Sequence, residues 1–67
     1  MKVVRPSKEA TQLSLSFNEL LILNAALNEI CNGIEVFEFS TRIGAEKDEV
    51  RELLAVLRGI VDKLEEE

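Results

Sequence analysis

The chain has 67 residues, a net charge of −5, 46% apolar residues, one cysteine and no histidine. A domain this small buries only about 60% of its unfolded surface, so it usually needs a disulfide, a metal or a partner chain. A lone cysteine excludes an internal disulfide, and one thiol with no histidine nearly excludes the four-ligand set of structural zinc. Association with another chain is the remaining route. The apolar content is that of a folded protein rather than a disordered one.

No apolar run approaches the roughly 20 residues that cross a bilayer. The run Leu20 to Leu23 is already broken by Asn24. The opening residues, Met1-Lys2-Val3-Val4-Arg5-Pro6, lack the apolar segment and small-residue cleavage site of a signal peptide. Together with the unpaired thiol, this leads us to expect a cytoplasmic protein with no membrane partner. Charge is unevenly spread. Residues 1–16 carry Lys2, Arg5 and Lys8 against Glu9, net +2, while residues 17–67 sum to −7. Only the N-terminal arm has the sign to attract an anion.

In chain order, residues 1–16 read as an extended arm or short hairpin, and residues 17–67 as a helical domain. Val3 and Val4 are β-branched, and Leu13, Leu15 and Phe17 alternate with Ser14 and Ser16, the period-two pattern of a half-buried strand. Strands at about 2–5 and 12–16 would form a hairpin around the polar stretch Pro6 to Ala10. Such a hairpin is marginal in water unless it packs on helices or pairs with another chain. The alternative is a disordered arm over residues 1–10.

The first helix has the clearest start. Ser16 and Glu19 form an S-x-x-E capping box, and Leu15 and Leu20 occupy the positions of a hydrophobic staple. The helix is predicted from Phe17 to Asn32, with Gly33 as a left-handed residue beyond its end and Ile34 as the apolar contact that follows such a cap. Leu20, Ile22, Leu23, Ala26, Leu27, Ile30 and Cys31 fill about half its circumference at 100° per residue. Phe17, Leu21 and Ala25 point the other way, among Asn24 and Asn28. A second, shorter helix is predicted over 36–43, ended by Gly44. The segment Glu35 to Phe39 also has strand propensity. The third helix is predicted over 47–64 without a good N-cap residue, Asp48 and Glu49 suiting the positive end of its dipole. Val50, Leu53, Leu57, Ile60 and Leu64 make an a/d stripe, widened by Leu54 and Val61. Gly59 within it implies either close helix approach or a tolerated solvent-facing site. The expected core is Leu20, Leu23, Leu27, Ile30, Phe39, Ile43, Val50, Leu53, Leu57 and Ile60.

Chemistry is poorly provided for, and no enzyme, cofactor or metal is expected. Without histidine the commonest general base near neutral pH is missing. Cys31 lies in the apolar arc of the first helix and reads as a core thiol. The carboxylates occupy polar faces, and Glu46, Asp48 and Glu49 lack the glycine and oxygen-ligand spacing of a calcium loop. Asn24, Asn28 and Asn32 repeat every four residues, close to Asn18. Asparagine is a weak helix former, so the stripe is read either as amides bonding across a contact or as a plain polar edge.

Counting Val36 as the first position, Phe39, Ser40, Gly44, Ala45, Val50 and Leu53 stand where a helix-turn-helix unit places apolar, small, glycine and apolar residues. The segment Val36 to Ala55 therefore resembles such a unit, as does any tight two-helix corner. The expected fold is a mainly α, three-helix domain, to which the resemblance adds a helix-turn-helix-like corner. In DNA-binding members the start of the second helix of the unit carries basic or amide side chains. Here that stretch is Glu46, Lys47, Asp48, Glu49, Arg51 and Glu52, which sums to −2 and opposes phosphate.

The expected function is a non-catalytic protein-interaction, regulatory or accessory module that self-associates and binds a protein partner. The alternative is a DNA-binding regulator whose basic arm, through Lys2, Arg5 and Lys8, contacts phosphates; nucleic acid is the less favoured partner. A homodimer is expected, with Phe17, Leu21, Asn24, Ala25 and Asn28 of the first helix at the two-fold contact and the paired amides fixing register. Two other arrangements compete with it. The arm could fold over Leu21 in a monomer, or the dimer could form through the a/d stripe of the third helix.

Overall fold

A computed structural model describes all of residues 1–67. The chain is mainly α, 61% helical, with a small two-stranded antiparallel sheet. Strands β1 (Lys2–Arg5) and β2 (Gln12–Ser14) form the hairpin. Lys2 pairs with Ser14, Val3 with Leu13 and Arg5 with Gln12, so Val4 is the extra residue of a bulge. Pro6 has no N–H to give the ladder and stands just past β1. Thr11 closes the connecting loop: its Oγ1 accepts from the Ser7 N–H at 3.1 Å and donates to the Ser7 carbonyl at 2.6 Å. Every residue of both strands is exposed. Of the two supports expected for the hairpin, packing on the helices is not made; its tie to them is the Met1 ammonium against the Glu19 carboxylate.

Helix α1 (Phe17–Asn28) starts where its capping box places it. The Ser16 N–H donates to Glu19 Oε1 at 2.9 Å, and the Glu19 N–H donates to Ser16 Oγ at 3.1 Å. Beyond Asn28 the helix continues as a wider π turn, Glu29–Gly33. This corrects the expected ending. Gly33 is not left-handed, because the Ile34 N–H reaches back five residues to the Glu29 carbonyl at 2.8 Å. That bond satisfies a carbonyl which a left-handed cap would otherwise serve. Ile34 stays exposed instead of packing back on the helix.

Helix α2 (Phe39–Ile43) begins three residues later than the predicted 36. Glu38, immediately before it, is left-handed at φ +52°, so the backbone from Val36 cannot run straight into the helix. Phe37 is left largely in solvent, and Phe39 turns inward. Gly44 ends α2 as predicted, left-handed at φ +85° with its N–H on the Ser40 carbonyl at 2.9 Å.

Helix α3 (Lys47–Glu65) follows. The Glu46 N–H donates to Glu49 Oε1 at 3.1 Å, so Glu49 caps a start that lacks Ser, Thr, Asp or Asn. Helices α1 and α3 pack side by side and antiparallel: Phe17 neighbours Leu64 at one end, and Asn28 neighbours Arg51 toward the other.

Only Leu20, Cys31, Val50, Leu54 and Val61 are buried. Cys31, Val50 and Leu54 form the centre, with Leu27, Ile30, Phe39 and Ala45 packed around them. The expected core is corrected on α3. Val50, Leu54 and Val61 turn inward, whereas Leu53 and Ile60 do not; Ile43 of α2 is also exposed. One antiparallel neighbour covers only part of a helix's circumference, and the apolar arc of α3 is wider than the part α1 reaches.

The molecule measures 36 × 31 × 16 Å with a radius of gyration of 13.3 Å. A globular chain of this length would have a radius of about 10.9 Å. Its accessible surface is 5472 Å², whereas a compact monomer of its mass would expose about 4,200 Å². The chain is thus a thin slab, one helical layer thick, and exposes about 1,200 Å² more than its mass requires.

Candidate functional site

The groups that could do chemistry are dispersed. Cys31 is the one thiol and sits in the core. No three of the cysteine, aspartate and glutamate side chains gather at one place. Glu19 is the one carboxyl clearly shifted: the Met1 ammonium, and after it the Ser16 backbone N–H, pull it down to about 2. Both contacts belong to the capping of α1, so this shift marks a helix start rather than a reactive acid. Asp48 accepts from Arg51 at 3.4 Å in an exposed pair on the first turns of α3. No helix is long and apolar enough to cross a membrane.

The residues expected at a two-fold contact on α1 divide. Phe17, Leu21 and Ala25 are exposed, whereas Asn24 and Asn28 are half-buried beside α3. Asn28 Oδ1 accepts from Asn32 Nδ2 at 3.1 Å, so two members of the amide stripe bond to each other along the helix. Asn24 Oδ1 is covered and has no hydrogen-bond partner, which costs about 1–3 kcal/mol of desolvation. Asn28 and Asn32 line a shallow groove with Arg51, Leu54, Ala55 and Arg58. A second groove at the other end is lined by Phe17, Leu64, Glu65 and Glu67. Of the basic arm, Lys2 and Arg5 stand on β1 and Lys8 in the connecting loop; all three are exposed and separate from both grooves.

The most extensive feature is apolar and lies on α3. Leu53, Val56, Ile60 and Leu64 are 37–61% exposed, and at 100° per residue they fall within about 80° of one another on the helix. They form an unbroken strip along most of α3, adjoining its buried Val50–Leu54–Val61 line. Val56 is the member that the reading of the sequence left out. The signal was present: the apolar residues of α3 span about 160° of arc, more than one neighbouring helix covers. Comparison of the chain with protein-family models, with curated proteins and with solved structures finds no match.

Proposed function

We propose that this chain is a non-catalytic interaction module, acting as a small regulatory or accessory protein, and that it self-associates. One observation carries the reading: a chain of 67 residues that buries five of them while holding a continuous apolar strip outward. The excess surface of about 1,200 Å² is of the order that one partner contributes to a standard protein–protein interface, about 800 Å². Exposed patches of this kind usually mark interfaces. Scattered carboxylates and a buried thiol give no support to catalysis.

The test is the dependence of thermal unfolding on protein concentration. A chain whose folding is coupled to its association should unfold at a higher temperature as concentration rises. A midpoint that stays fixed over a hundredfold range of concentration would contradict the reading.

A second reading rests on the corner at Gly44. Its left-handed turn joins α2 to α3, as the helix-turn-helix resemblance expects, and the basic arm with Lys2, Arg5 and Lys8 is free in solvent. Two features weigh against DNA. Helix α2 has only five residues, and the first turns of α3 carry Asp48, Glu49 and Glu52. A gel-shift titration at low salt should show no binding. Micromolar binding that weakens steeply with added salt would favour the DNA reading.

A further inference from the structure

We infer that the second copy docks on α3, with the two α3 helices antiparallel about a two-fold axis. This rests on the self-association just proposed and names its interface. Placed antiparallel, Leu53 comes level with Leu64 of the partner subunit, and Val56 with Ile60 of the partner subunit. The four residues of the strip therefore cover their own copies, as an isologous contact requires.

The edge of the strip selects this direction. Glu52 and Lys63 flank it on the same side, about 20° apart at 100° per residue. Neither has an ion-pair partner within the chain, whose two ion pairs are Met1–Glu19 and Arg51–Asp48. In the antiparallel arrangement Glu52 meets Lys63 of the partner subunit, and the symmetry makes the pair twice. In a parallel two-fold arrangement the two copies of this edge would lie on opposite sides of the contact, so neither charge would find its counterpart, and the acidic ends Glu65-Glu66-Glu67 would lie together. Gly59 lies on this edge about 20° further from the strip than Glu52, at an open site where nothing beyond its own helical turn comes within 4 Å of an added Cβ. Antiparallel packing also sets the two helix dipoles against each other.

The experiment measures mass by light scattering at micromolar concentration, with circular dichroism to show that each variant keeps its helices. The wild type should have twice the mass of one chain. Ile60→Glu should have the mass of one chain, and Leu21→Glu should remain a dimer. Glu52→Lys should loosen the dimer about five- to tenfold, since two exposed pairs become repulsive. The double variant Glu52→Lys/Lys63→Glu should restore it, because each chain then again offers one charge of each sign.

The outcomes separate the two claims. A wild type with the mass of one chain overturns self-association and this interface together. A dimer that survives Ile60→Glu but is lost in Leu21→Glu leaves self-association standing and overturns the α3 interface. If the charge swap weakens the dimer without restoring it, the antiparallel alignment is wrong. Should Ile60→Glu lose its helices, the charge swap decides, because Glu52 and Lys63 are exposed and their exchange leaves the fold intact.

Discussion

Gly33 and Gly44 look alike in the sequence, each following an apolar helical stretch, yet the backbone treats them differently. Gly44 is left-handed at φ +85°, where a Cβ costs about 1 kcal/mol or more. Gly33 is helical, and an added Cβ there would meet only the mobile end of the Glu29 side chain. Gly44→Ala should therefore lower stability by about 1 kcal/mol. Gly33→Ala should leave it unchanged or raise it by up to about 1 kcal/mol, the helix-propensity difference. Urea unfolding of the two variants checks both signs. Glu19 offers the other test at this scale. Its carboxyl is drawn from 4.5 to about 2 in the folded chain. A depressed carboxyl stabilises the fold fully above its ordinary value, and that contribution is lost as pH falls toward the folded value. Glu19→Gln should thus melt at a lower temperature than the wild type near neutral pH. The two melting temperatures should converge as the pH approaches about 2.

At the scale of elements, the sequence was most legible where local chemistry decides. The Ser16–Glu19 box set the start of α1, and Gly44 set the stop of α2. The long apolar period of α3 located that helix to within one residue at its end. Legibility failed where a single backbone bond chose between near-equal conformations, as in the π turn at Glu29–Gly33 and the left-handed Glu38 that delays α2. It also failed on the orientation of α3. Periodicity reveals an apolar arc but not which part of it a neighbour covers, so Leu53 and Ile60 were placed in the core that Leu54 and Val61 occupy. The hairpin was legible in its strands and not in its packing, since tertiary contacts leave no period in so short a segment. Its exposure has a measurable consequence. Amides of β1 and β2 should exchange with solvent far faster than those of Leu20 to Leu27 and Val50 to Val61. Protection of the hairpin equal to that of the helices would show that another chain covers it.

At the scale of the whole molecule, the shape follows from supply and demand of apolar surface. Two long helices side by side make one layer, and a stable domain usually needs two layers closed around a core. The hairpin is exposed throughout and α2 adds only Phe39 to the centre, so neither supplies the second layer. A second copy laid on the α3 face would supply the missing layer and bring Leu53, Val56, Ile60 and Leu64 inside, where the periodicity of α3 implied such residues belong. Length and composition led to the expectation of a partner, whereas the face proposed for it could be chosen only by seeing which apolar line α1 already covers. The most direct measurement is sedimentation equilibrium of the wild-type chain at micromolar concentration. Self-association requires a mass of twice 7.5 kDa; a single species of 7.5 kDa across that range would contradict it.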